Sequence, residues 1–465
     1  MVSVAIIGAG ISGLTAAYRL RQQNVAVTLF EAAERAGGVV RSERCDGYLV
    51  EYGPSSIEGN DPVTQDLLSD LGLHAQRCTA RQPTRKLAIV RNGKAQVLPL
   101  SAQTFLTSRL FSPLGKLRLL REPFIRAGNP GQEESVAAFA RRRLGQEGCD
   151  YLLGTFVTSV LAGDPEHFSI RHALAGLAQS EQRYGSLTRG LLSMARERRR
   201  QGAGTAQGAR EERSRAFSFL DGLQTLTDAL FSRLRPDVRL QTAVVRLQHL
   251  APGWIVTTRS RDQDEQARFD AVISTVPLYQ LPSIQFEPAC DLTPLTEVAY
   301  PPLSLLALGF RREQVGHSLE GTAIFVPIAE GQRLRATLFS SSVYPARAPQ
   351  GHVLLTCFIG GAWNPAAARQ PSGRLLATTL SELRPLLAIS GEPTFFKHIA
   401  LSHSLPQYNV GYSRVLDCLE RMEAGLPGFF MAGNYRQGVS VRAALLSGYE
   451  TAGRLLASLE PEPAL

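Results

Sequence analysis

The sequence predicts an α/β protein with a discontinuous, Rossmann-type dinucleotide-binding domain, an α+β substrate domain and a mainly helical insertion. Three observations predict it. The chain opens on a buried strand, a glycine turn and a helix, "VAIIGAGISGLTAAYRL" (4–20), and runs into a second buried strand, "VAVTLFE" (25–31). Short apolar strands of the same kind return near 237–275, ending in "FDAVISTVP". A last strand, turn and helix close the chain, "GFFMAGN" and then "VRAALLSGYETAGRLLASL". These pieces read as parts of one sheet, so the dinucleotide-binding domain is expected from 1–80, 215–284 and 416–465. The basic, mainly helical segment 85–205 reads as an insertion. The strand-rich segment 285–415 reads as the substrate-binding domain, which puts a ligand at the junction.

Gly8, Gly10 and Gly13 form G-x-G-x-x-G between strand and helix, with Ala9, Ile11 and Ser12 filling the turn. The first glycine permits the tight turn. The second lets the backbone approach a pyrophosphate, and the third lets helix pack on strand. The helix N-terminus then presents free N–H groups to phosphate. Glu31 ends the next strand, where an acid accepts the hydroxyls of a ribose with a free 2′-OH. That disfavours NADP and leaves NAD and FAD level.

The following stretch separates them. "ERAGGVVRS" supplies Arg35, Gly37, Gly38, Arg41 and Ser42, and "EYGPSS" adds Gly53, Pro54, Ser55 and Ser56. A nicotinamide site has no use for a second glycine pair and two arginines here. An extended FAD needs more amides and cations along its diphosphate and ribityl chain. The expected cofactor is FAD, held without a covalent bond.

Composition narrows the remaining classes. Six dispersed cysteines and eight dispersed histidines offer no metal-ligand spacing, so no metal is expected. The net charge of +9 favours anionic partners. Much of it lies in "RERRRQGAGTAQGAREERSR" (196–215), which reads as a solvated loop. No nucleic-acid motif accompanies it, so no nucleic acid is expected. No apolar run is long enough to span a bilayer. The first strand begins at residue 2, which leaves no room for a leader, and a cytoplasmic location is expected.

The glycine pair after the acid resembles the flavoprotein group of amine oxidases, carotenoid desaturases and protoporphyrinogen oxidases. The closing "MAGNYRQGVSVRAALLSGYETAG" is similar to that group's last FAD motif. "LPQYNVGY" (405–412), "SVLAGDPEHFSIRHAL" (159–174), "GLAQSEQRYGSLTRGLL" (176–192) and "FSFLDGLQTLTDAL" (217–230) narrow the resemblance to the protoporphyrinogen and coproporphyrinogen oxidase family. It runs in order over essentially the whole chain. The resemblance implies an amine-oxidase-like architecture and a six-electron oxidation of a porphyrinogen in three two-electron rounds, with O2 reduced to hydrogen peroxide. Such chemistry needs the macrocycle positioned and desolvated rather than a protein base, so no catalytic side chain is named.

Carried over motif by motif, the resemblance implies further FAD contacts at Val244 in "TAVVRL", Trp363 in "GGAW", Gly433, Asn434, Val439, Ser440 and Val441. Ser159, Ala162 and Gly163 match a segment that lies over substrate and flavin. The family's propionate-binding arginine aligns with Leu87. Arg85 and Lys86, just before it, are the available cations. Two departures, Glu51 in "EYGPSS" and Asp221 in "LDGLQTL", leave the reading unchanged.

"TFLTSRLFSPLGKLRLLREPFIRAG" (104–128) sets Leu114, Leu117, Leu120 and Phe124 on one face beside Lys116, Arg118 and Arg121. The pattern fits packing into the cap with the cations in water, and it equally fits an anionic membrane surface. The resemblance favours peripheral membrane association, on the inner face of the cell membrane. A homodimer and product handover to a chelatase are further expectations. The alternatives are a coproporphyrinogen III oxidase, another amine-oxidase-type enzyme and a non-catalytic flavin binder. Cys418 stands in the wrong context for the covalent flavin link of many amine oxidases.

Overall fold

The computed structural model describes residues 2–58, 61–80, 86–99, 101–201 and 216–459. A five-stranded parallel sheet orders Val238–Arg239, Ala26–Phe30, Ser3–Ile7, Ala271–Ser274 and Phe429–Met431. Its central strand carries Val4, Ala5 and Ile6 without solvent exposure, as burial on both faces requires. The first helix, Ile11–Gln22, packs on the last, Val441–Leu459. Their backbones come close. Ser12 Oγ donates to Ala444 O at 2.7 Å, and a Cβ on Gly448 would lie 2.1 Å from Ser12 O. A four-stranded sheet of Gln263–Phe269, Trp254–Ser260, Ala243–His249 and Gln285–Glu287 lies against this unit, sharing a core with it through Trp254 and Phe429.

A seven-stranded sheet orders Phe395–Leu401, Leu303–Arg311, His352–Gly360, Leu334–Leu338, Ala323–Phe325, Leu87–Arg91 and Lys94–Val97. The helix Ser372–Leu387 covers one face over Leu306, Leu308, Phe310 and Leu355. The helical segment covers the other, placing Leu110 and Phe111 on Ile89, Phe325 and Ala336. The hairpin 87–97 thus belongs to this sheet and not to the helical stretch with which its sequence neighbours group it. Its partner strand begins at Ala323, too far along the chain for local patterning to reveal.

A buried ionic cluster ties the helical segment together. Arg143, fully buried, pairs with Glu122 at 3.2 Å and with Glu181. Burial alone would raise the Glu122 carboxyl. Hydrogen bonds from Ser186 Oγ and from the Thr188 and Leu187 amides outweigh it and hold the group below its ordinary value. Residues 196–201, expected in a loop, continue the helix Leu187–Gln201, while 202–215 lie outside the described residues.

Candidate active site

The two glycine motifs meet. Gly37 N–H donates to Ala9 O at 2.7 Å, and Gly10 and Gly37 form an isolated parallel bridge. Gly10, at the N-cap, has no side chain to cap the helix, so the amides of its first turn, at Ile11, Ser12 and Gly13, are available to a ligand. A Cβ on Gly10 would meet no protein atom within 4 Å, whereas one on Gly13 would lie 1.9 Å from Gly8 O. Gly10 therefore faces a cradle that a side chain would fill, and Gly13 is a packing glycine.

Glu31 is fixed at the same turn. One oxygen accepts from Ala9 N at 2.8 Å and the other from Ala33 N at 2.9 Å. Each oxygen keeps a lone pair for a ribose hydroxyl. Gln241 N–H donates to Ala33 O and Thr242 N–H to Glu31 O, which lays the strand carrying Val244 beside the acid. Arg35 folds back on its own loop, with Ala36 O at 3.0 Å and Gly38 O at 2.5 Å. Burial, then the neighbouring Arg41, lowers its pKa. Arg41 lies over the Tyr52 ring at 4.2 Å.

Ser42 is engaged inward. Its hydroxyl donates to Glu51 at 2.5 Å and accepts from Gln224 N, so its part is to shape the loop. Glu51 itself is buried against Arg347 at 3.0 Å. Gly53–Ser56 follow directly, with a Cβ at Gly53 reaching Val39 O at 3.9 Å and Ser56 bonded to Tyr344. Asp221, the second departure, pairs with Arg44 at the surface.

The closing motif is held by tyrosines. Tyr408 OH donates to Asn434 O at 2.6 Å and accepts from Gly438 N at 3.0 Å, clasping both ends of the loop. Tyr412 OH donates to Tyr435 O at 2.7 Å. Gly433 N donates to Ser447 Oγ at 3.0 Å. After Val439, Ser440 caps the last helix, accepting from Ala443 N at 3.1 Å, so Val441 opens its first turn.

The turn after the helix Gly154–Val160 connects these parts. Ala162 O accepts from Ala362 N at 2.8 Å, beside Trp363. Leu161 O faces Gln407 Nε2 at 3.5 Å, one residue before Tyr408. Ser159 Oγ donates to Arg335 O at 2.8 Å. A Cβ on Gly163 would press on the Phe168 ring at 2.9 Å, so this glycine packs the turn. The structure thus brings Ser159, Ala162, Gly163 and Trp363 together and links them through Tyr408 to Asn434. Lys86 stands apart, exposed and paired with Glu320 at 3.4 Å, and Arg85 lies outside the described residues.

The flavin-containing amine oxidoreductase family model matches residues 11–456. The chain belongs to that family. A flavin at a dinucleotide fold is FAD, so this oxidoreductase is an FAD flavoprotein, and the glycine cradle, uncapped helix and anchored Glu31 fit that group. A mitochondrial protoporphyrinogen oxidase of Nicotiana tabacum is 35% identical, covering 98% of this chain and 95% of its own. A coproporphyrinogen III oxidase of Staphylococcus aureus is 28% identical over 88% of this chain and 89% of its own. A crystal structure from Exiguobacterium sp. 255-15 superposes with a TM-score of 0.82 at 24% identity, covering 98% and 99% of the two chains. A cyclohexylamine oxidase of Brevibacterium oxydans shares the fold at a TM-score of 0.68 and 19% identity, covering 99% of this chain and 100% of that one. The family's oxidoreductase architecture thus extends along nearly the whole chain.

Proposed function

We propose that this flavoprotein is an oxygen-dependent protoporphyrinogen oxidase, converting protoporphyrinogen IX to protoporphyrin IX in porphyrin biosynthesis. The observation that carries the reading is the 35% identity to the tobacco enzyme over almost the full length of both chains. FAD, when bound, supplies the hydride acceptor, and O2, reduced to hydrogen peroxide, is the terminal oxidant. The chain's own part is positioning. The first-turn amides of Ile11–Gly13 and Glu31 hold the dinucleotide, and Tyr408 and Tyr412 hold the Asn434–Gly438 loop. The Ser159–Gly163 turn and Trp363 lie where the macrocycle would be positioned. No side chain needs to move a proton for hydride to leave.

The test is direct. Purified protein given protoporphyrinogen IX or coproporphyrinogen III in air is followed by porphyrin fluorescence and peroxide release. Faster protoporphyrin formation is expected. Faster coproporphyrin formation would move the assignment to the second substrate, and a yellow protein that oxidises neither would end both.

The reading includes a membrane-docking face. Leu114, Leu117, Leu120 and Phe124 are 78%, 56%, 57% and 82% exposed, so they do not pack into the cap. Arg109, Arg121 and Arg126 are exposed nearby. Arg118, expected in water, instead bonds Arg142 O and Arg143 O at a helix end. No helix among the described residues is long and apolar enough to cross a membrane. Leu114→Glu with Phe124→Glu is expected to weaken co-sedimentation with phosphatidylglycerol vesicles by more than about tenfold, since burying each such side chain is worth ~1.5–3 kcal/mol. Unchanged binding by the double variant would remove this face from the proposal.

A further inference from the structure

Arg335 is 1% exposed, yet its guanidinium forms no ion pair among the described residues. It stands at a bulge in the strand Leu334–Leu338. Nη1 donates to Val326 O at 3.1 Å and Nε to Arg333 O at 3.4 Å, while Nη2 has no partner among the described residues. Glu382, whose charge acts on Arg335, accepts instead from the Arg333 and Leu334 amides. A buried charge without a direct ion pair is costly, and the carbonyl oxygens and the more distant charge of Glu382 relieve only part of that cost. Burial lowers its pKa to about 10, which still leaves it cationic at neutral pH.

Its surroundings are those of the candidate active site. Its carbonyl accepts from Ser159 Oγ, and its guanidinium lies 5.0 Å from the centre of the Trp363 ring. Trp363 is 36% exposed, so a partly solvent-facing ring covers a cation that has no direct ion pair among the described residues. The position expected to carry the cation holds Leu87, and Lys86 is engaged with Glu320.

We infer that Arg335 is the anion anchor of the substrate site, receiving a carboxylate of the substrate beside Trp363. The inference rests on the porphyrinogen reading, whose substrates carry propionates. It locates their recognition at the strand Leu334–Leu338 rather than at the hairpin 87–97. A guanidinium suits the task because it offers parallel donors to a carboxylate and stacks on an aromatic ring.

The experiment compares the FAD-loaded wild type with Arg335→Gln and Arg335→Lys. Protoporphyrin IX and its dimethyl ester are titrated while tryptophan emission is read. Trp363 reports beside the anchor, and the chain's other tryptophan, Trp254, is buried in another sheet. Turnover is measured with protoporphyrinogen IX and with its dimethyl ester. Arg335→Gln is expected to weaken binding of the diacid by about tenfold or more and raise its KM, with kcat changed far less. The diester should bind both proteins alike. Arg335→Lys keeps the charge but loses the parallel donors, so a smaller loss confined to the diacid is expected. It also serves if the glutamine variant does not fold. Variants that bind diacid and diester in the wild-type ratio would overturn the anchor. A wild type that binds and oxidises neither form would instead overturn the porphyrinogen reading.

Discussion

Gly10→Val is expected to fold and to lose FAD, while Gly13→Ala is expected to damage the fold itself. A side chain at position 10 meets no protein atom within 4 Å, so the packed structure does not object to it. It projects instead from the turn whose helix is left uncapped, where a diphosphate must approach the backbone. At position 13 the first added carbon would sit 1.9 Å from Gly8 O, with Thr275 Oγ1 at 3.0 Å. Neither neighbour can yield freely. Gly8 belongs to the turn itself, and Thr275 Oγ1 bonds both Ile7 O and Gly8 O. Overpacking of this kind costs about 1–3 kcal/mol or more. The measurements are the flavin-to-protein absorbance ratio and a thermal melt. A colourless Gly10→Val protein with an ordered circular dichroism spectrum is expected, against a Gly13→Ala protein whose melt is lowered. Full flavin content in Gly10→Val would refute the placement of the diphosphate.

This contrast shows what the sequence could and could not convey. The strand, glycine turn, helix and terminal acid lie within 31 residues, so local pattern exposes them. The same pattern does not tell the cradle glycine from the packing glycine, because Gly13's obstacle is Gly8 O and its support is Thr275, far along the chain. Ser42 sits in the right motif yet bonds Glu51 and Gln224, which only the fold brings to it. The hairpin 87–97 joins a strand at 323 and so escapes any local grouping.

Arg335 escaped for a related reason. An arginine in a strand reads as an edge or surface residue unless its burial and missing partner are known. The leucine face at 114–124 was visible as periodicity, but a packed face and a membrane face have the same period. Exposure is what the period cannot convey: the four side chains are exposed on the folded chain.

"LPQYNVGY" was recognisable by resemblance but had no visible chemistry, and the structure supplies it. Tyr408→Phe should release FAD and lower stability more than Tyr412→Phe does. The Tyr408 hydroxyl is bonded twice, to Gly438 N and Asn434 O, and the residue is 4% exposed. Burial pushes its phenol well above the ordinary value, so it stays protonated and able to donate across the working pH range. Phenylalanine keeps the ring's packing and removes only the oxygen. Two part-buried backbone groups are then unpaired, at up to about 1–3 kcal/mol each. Tyr412 makes one such bond, to Tyr435 O, so its phenylalanine variant should lose about half as much.

The loop these phenols close runs from Asn434 to Gly438, directly before Val439 and the Ser440 cap. Strain there moves the N-terminus of the last helix, one of the two helix ends that the family resemblance assigns to FAD. The FAD dissociation constant should therefore rise by about tenfold or more in Tyr408→Phe, and its melting temperature should fall by several degrees. Tyr412→Phe should lie between it and the wild type on both scales. Equal FAD affinity in all three proteins would mean that the loop does not depend on the clasp. The motif would then owe its presence to the contact between Gln407 and Leu161 on the substrate side of the same segment.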